Sequence, residues 1–281
     1  MIVVDHGWTA WLDHAATTQE ARRSPPAPNA RPALSFFNRY LEESRTPLTV
    51  LLFLLPLLIA YEVLVVVALR SGGGLVTPDA HRWILTLFAA FDLGTFGLWL
   101  PGVLVVVLLL CWHTIERRPW RSDSTVVGLM WSESLVLALP LLVFSQAALR
   151  IPAIAAAAPS FDQLPLGAKL AVSVGAGIYE ELLFRLGLIG LLLVVFDDVM
   201  KFGRTRATAF AVGASALAFM AYHPLRDATG SVHPARVVFY LGAGVYFGVL
   251  FVVRGFGIAV GAHAFYDALA VLFAASSAGT E

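Results

Sequence analysis

Seven stretches of this chain, at about 48–69, 93–114, 126–149, 168–196, 207–223, 237–253 and 256–275, are mainly apolar over roughly the length that an α-helix needs to cross a hydrocarbon core of about 30 Å. This feature constrains the fold most. In lipid the backbone must satisfy its own hydrogen bonds, and segments of this length without strict alternation do not describe a β-barrel. The expected fold class is therefore all-α: a polytopic transmembrane bundle of seven helices. An eighth helix is left open at 75–92, where Trp83, Phe88 and Phe91 stand beside His81, Arg82 and Asp92. With 58% hydrophobic residues, 14% charged residues and no net charge, the chain lacks the polarity of a disordered segment and the basic surface of a nucleic-acid-binding protein. Cys111, alone and inside an apolar run, supports neither a disulfide framework nor a thiolate cluster within one chain.

Residues 1–47 differ, with Arg22, Arg23, Arg31, Arg39 and Arg45 among Pro25, Pro26, Pro28 and Pro32. They read as a mostly irregular polar tail. Only Ile2 to Val4 precede Asp5 and His6, too little for the apolar region of a cleavable signal peptide. Residues 48–281 are expected to form one membrane domain. Arg and Lys counted in alternate loops total twelve on the side of the tail and six on the other, which places the N-terminus in the cytoplasm for seven spans. An eighth span would reverse that assignment. Trp99, Trp112, Trp120 and Trp131 are expected to form an interfacial aromatic belt.

The charges inside the apolar segments carry the functional information, because each costs about 2.5–3.5 kcal/mol near a helix centre on the insertion scale. The fourth segment holds Glu180, Glu181 and Arg185. It should therefore be a central helix whose polar side meets other helices or a wet cavity. Glu181 and Arg185 are four apart in the favourable order for an ion pair. Glu180 projects about 100 degrees away and has no cation at helical spacing. Taken alone, the triplet equally describes a buried polar knot that orients the bundle. Glu62 and Glu133, in the first and third segments, are read as internal hydrogen-bonding or ion-pair residues.

Two further segments tip the balance toward function. The fifth ends in Phe219-Met220-Ala221-Tyr222-His223-Pro224, and the seventh contains His263-Ala264-Phe265-Tyr266-Asp267. His263 and Asp267, four apart, can face one cavity. Carboxylate plus imidazole is the minimum equipment for activating water, by general base catalysis or through a bound zinc. Pro224 and the polar stretch after it place an opening near that loop. His233 reads as a loop histidine, and Arg226 and Arg236 as loop cations able to meet a carboxylate.

The succession Glu180-Glu181-x-x-x-Arg185, Phe219-x-x-x-His223 and His263-x-x-x-Asp267 resembles the signature of the CPBP intramembrane proteases, the family of type II CAAX prenyl endopeptidases and bacteriocin-processing relatives. The resemblance spans about 165–275. It implies that Glu180 activates a water for attack on a peptide carbonyl, that His223 holds or polarises that water, and that His263 and Asp267 flank the developing oxyanion. Glu180, His223 and His263 also make a three-ligand zinc set, in which case Glu181 becomes the base. Glu181 and Arg185 otherwise support the helix, and their pair can steer a substrate carboxylate. The CAAX endopeptidases of the family carry Asn at the last motif position, and other members carry Asp. A neutral Asp267 can donate as Asn does, while an ionised one only accepts and favours metal ligation or orientation of His263.

The expected activity is thus a membrane-embedded endopeptidase acting on a peptide or membrane-protein substrate, with zinc as the one cofactor allowed for. The alternatives are a non-catalytic immunity or scaffold protein of the same fold, and a proton-coupled transporter. The latter calls for an internal repeat with paired broken helices, which the sequence lacks. Seventeen Arg against two Lys, with abundant Ala, Gly and Pro, point to a GC-rich genome and so to a bacterial cell membrane.

Overall fold

The computed structural model describes residues 32–70, 77–92, 97–149, 161, 163–226 and 229–278. Nine helices run through them: α1 Pro32–Glu43, α2 Pro47–Arg70, α3 Asp79–Ala89, α4 Leu100–Ile115, α5 Ser124–Leu149, α6 Leu166–Glu181, α7 Arg204–Tyr222, α8 Pro234–Arg254 and α9 Phe256–Ala278. No strand occurs among the described residues, only one isolated bridge between Arg226 and Val232. The fold is all-helical, as the segment lengths predict.

Four helices are long and apolar enough to cross a membrane: Pro47–Arg70, Ser124–Ser145, Pro234–Arg254 and Phe256–Ser276. The chain is an integral membrane protein. Their outward side chains, such as Val63, Val143 and Val253, are exposed, as a lipid-facing surface requires. The other three predicted segments are also helical but differ from that pattern. α4 has 16 residues, a rise of about 24 Å. α6 carries the charges discussed above, and α7 begins with Arg204 and Arg206 and is rich in Ala. Among the described residues, the region left open as an eighth span holds the 11 residues of α3, about 16 Å long and so shorter than the core.

Part of the predicted irregular tail is ordered. α1 turns Tyr40 inward, where its hydroxyl donates to Glu133. Arg254 grips the same carboxylate with two hydrogen bonds, Nε to Oε1 at 2.5 Å and Nη2 to Oε2 at 2.7 Å. Glu133 is therefore the ion-pair residue expected of it, and it ties α1, α5 and α8 together. Residues 1–31 lie outside the described residues. Glu62 differs from its expectation: its Oε1 is buried without a hydrogen-bond partner among the described residues. Trp99 and Trp120 are exposed near helix ends, as a belt requires, but Trp131 packs inward on Phe53 and Phe265 with ring centroids 5.2 and 5.5 Å apart.

Three features of this bundle place the site. α6 continues without a break as π-helix over Leu182–Ile189, then through Gly190–Leu193 and a second π-helical stretch at Val194–Val199. Such widened turns are uncommon and cluster at functional positions. This one begins directly after Glu181. At the crossing of α6 and α9, Gly177 lies so close to the partner helix that a Cβ there would sit 2.6 Å from the Ala264 backbone nitrogen. The missing side chain brings Glu180 and Glu181 alongside His263. Finally, Gly255, with φ +91°, joins α8 to α9 in a one-residue turn that a side-chain-bearing residue adopts only with strain. α9 thereby folds back onto α8, where His263 meets Phe247 and Tyr266 meets Phe239.

Candidate active site

Three helices contribute. α6 brings Glu180 and Glu181, its π-helical continuation brings Arg185, α7 ends at His223, and α9 carries His263 and Asp267. Glu180 is 5% exposed, Glu181 and Arg185 are fully buried, and His263 is 4% exposed. Charges so far from water persist only with partners.

The predicted ion pair forms, with Arg185 Nη1 2.9 Å from Glu181 Oε1. Arg185 also donates from Nη2 to the Gly244 carbonyl at 3.3 Å and lies over the rings of Phe219 and Phe247, 4.3 and 5.4 Å from their centroids. Glu181 Oε1 additionally meets His263 Nδ1 at 2.8 Å. A carboxylate committed to an arginine accepts, so Nδ1 carries the imidazole proton and Nε2 holds a lone pair. His223 follows the same logic. Its Nδ1 lies 2.8 Å from the Phe219 carbonyl oxygen, which only accepts, and this again leaves Nε2 as the acceptor.

Both Nε2 atoms converge on one oxygen. Glu180 Oε2 is 3.7 Å from His223 Nε2 and 4.0 Å from His263 Nε2, and it has no direct hydrogen-bond partner. Polar groups at such separations are joined by a bridging water. Asp267 Oδ2 stands 3.5 Å from His263 Nε2, on the face that the four-residue spacing predicts. Among the described residues no group of three or more His, Cys, Asp or Glu is arranged to hold a metal ion.

Aromatic rings hold both imidazoles in place. His263 is stacked on Phe247, with centroids 4.4 Å apart and planes 16° from parallel, and His223 is stacked on Tyr240 at 4.1 Å and 22°. Phe219 sits between them, 4.4 Å from His223 and 6.0 Å from His263. Sequence reasoning singled out Phe219 through its motif but passed over Phe247 and Tyr240. In a chain this apolar, an aromatic on a membrane helix carries no signal of its own. Tyr222 was passed over too: its hydroxyl accepts from the Ala80 N–H at 2.8 Å and its ring lies 5.0 Å from that of His223, linking α3 to the site.

A cavity of about 1220 Å³ opens beside these residues, lined by His223, Tyr240, His263 and Asp267 and, at the predicted loop, by Pro224 and Arg236. The two loop arginines do not present free guanidinium groups. Arg236 is 7% exposed and donates from Nη1 to the carbonyls of Pro224 and Arg226 at 3.3 and 2.8 Å, and Arg226 bonds the Gly230 carbonyl at 2.7 Å. They shape the loop. His233 is part of the same turn, through a backbone N–H donated to the Leu225 carbonyl at 2.8 Å.

A polytopic helical bundle with carboxylates and imidazoles gathered at one internal point defines a membrane protein with a buried polar site. Residues 162–269 match a family model, Rce1-like, described as type II CAAX prenyl endopeptidase Rce1-like, and every motif residue from Glu180 to Asp267 falls within the match. Over these residues the chain is thus similar to the CPBP and CAAX protease family. No curated protein and no solved structure gives a significant match.

Proposed function

We propose that this protein is a membrane-embedded endopeptidase that hydrolyses a peptide bond with water activated by Glu180. The observation that carries the reading is the convergence of two lone-pair nitrogens on the unpartnered Oε2 of Glu180. A water bridging this point donates one O–H to Glu180 Oε2 and the other to the nearer imidazole nitrogen, His223 Nε2. Glu180 takes one proton as the water oxygen bonds to the peptide carbonyl carbon, and the carbonyl π pair moves onto its oxygen. Collapse of that tetrahedral species breaks the C–N bond. The proton held by Glu180 then passes to the departing nitrogen, leaving a carboxylate and an amine.

The remaining residues act around that exchange. His223 orients the water through Nε2 and His263 lines the other side of it, each ring fixed by its Nδ1 hydrogen bond and its stacked aromatic partner. Glu181 and Arg185 hold His263 and anchor α6 to α8. Asp267, beside His263 Nε2, sets the charge of that imidazole's surroundings. We assign no step to zinc. The Glu180, His223 and His263 atoms stand at spacings suited to a shared water.

Two other readings differ in what they predict. A non-catalytic scaffold has no use for paired imidazoles aimed at a buried carboxylate, and a transporter does not change the peptides it meets. The test is a defined mixture of synthetic peptides, farnesylated CAAX peptides included, incubated with the purified protein in nanodiscs and read by mass spectrometry. The expected result is internal cleavage that survives exhaustive chelation. Intact peptides throughout would favour the scaffold reading, and cleavage abolished by chelation and restored by zinc would put the metal back in the mechanism.

A further inference from the structure

The tetrahedral intermediate proposed above carries a negative oxygen, and with neutral imidazoles and an ionised Asp267 the motif residues offer it no donor. His223 and His263 each use their one N–H on Nδ1, away from the shared point. Glu180 holds the transferred proton, and ionised Asp267 only accepts. Stabilising such an oxygen with preorganised donors is commonly the largest single contribution to acyl-transfer catalysis. The donor must come from elsewhere on the cavity wall.

Among the neighbouring tyrosines, Tyr222 accepts from the Ala80 N–H, and Tyr266, which lines the same cavity, packs on Phe239 with ring centroids 6.2 Å apart. The Arg236 guanidinium is committed to loop carbonyls. Tyr240 differs on three counts. It lines the cavity together with His223, His263 and Asp267. Its hydroxyl makes no hydrogen bond among the described residues and is not sealed off from the cavity. Its ring is clamped against the His223 imidazole at 4.1 Å, so the hydroxyl is held in place without spending its proton. It is also close enough to Asp267 and Glu180 to feel both carboxylates.

We infer that Tyr240 is a further catalytic residue, whose O–H donates to the oxyanion as it forms. This rests on the hydrolytic reading above, and it explains how an Asp takes the last motif position where the endopeptidases of the family carry Asn. Stacking on His223 places the phenol beside the residue that holds the attacking water, so one ring positions both nucleophile and oxyanion.

The experiment compares wild type, Tyr240→Phe, Glu180→Gln and Tyr246→Phe on the fastest-cut peptide of the mixture described above. Phe keeps the stacked ring, so the fold and His223 are preserved. The expected result for Tyr240→Phe is a fall in kcat of about 10²-fold with little change in KM, the loss seen when one oxyanion donor is removed. Tyr246→Phe, which removes only a bond to the Leu137 carbonyl, should behave as wild type. Fluorotyrosine placed at position 240 supplies a second readout: it ionises at lower pH, and a phenolate cannot donate, so the alkaline limb of the pH profile should move down in pH. Full activity of Tyr240→Phe, or an unmoved alkaline limb, would overturn the assignment while leaving the hydrolytic reading intact. Wild type as inactive as Glu180→Gln would overturn both.

Discussion

Glu180→Gln should lower kcat by about 10³- to 10⁴-fold, toward the upper end of what a general base contributes, and leave the protein at least as stable as wild type. The two halves of this prediction have one cause. Glu180 is a nearly buried carboxylate whose Oε2 has no direct partner, and a bare carboxylate in that position is costly to keep. The isosteric amide is cheaper to bury but cannot take a proton from water. Loss of activity with an unchanged or raised Tm therefore distinguishes a catalytic group from a structural one. Activity retained within tenfold, or lost only together with folding, would contradict the role.

Arg185→Met should have the opposite signature, a large loss of stability. Arg185 and Glu181 are both fully buried, and removing the guanidinium leaves the Glu181 carboxylate with His263 as its remaining polar contact. Removing one member of a buried pair typically costs about 3–5 kcal/mol, because the surviving charge is left uncompensated. The Gly244 carbonyl also loses a donor, and Phe219 and Phe247 lose the cation lying over their rings. Adding Glu181→Gln to Arg185→Met should restore part of the lost stability, since the double variant buries no unpaired charge. Thermal unfolding of the two single variants and the double variant checks this. Additive losses would mean that the pair is not coupled as its geometry requires.

Much of this arrangement was legible from spacing alone. A four-residue interval on a helix fixes which side chains meet, so the Glu181–Arg185 pair and the approach of His263 to Asp267 follow from the sequence. The 100-degree turn between Glu180 and Glu181 likewise anticipated that one would pair within its helix and the other would face residues from elsewhere. What remained hidden depends on contacts between helices. Arg254 pairs with Glu133 across 121 positions in the chain, which leaves no periodic trace. Tyr240 and Phe247 are aromatics in apolar helices, indistinguishable by pattern from lipid-facing residues. The π-helical turn after Glu181 has no compositional mark either. Trp83, Phe88 and Phe91 make 75–92 look like a span in the sequence, and what distinguishes α3 is its length of 11 residues.

The central claim, that Glu180 activates water to cut a peptide bond, is met most directly by proteome-wide comparison of peptide termini in cells making wild type or Glu180→Ala at equal expression. The account predicts a set of new termini on membrane or membrane-associated proteins that appears with wild type and is missing with the variant. Identical termini in both would contradict it.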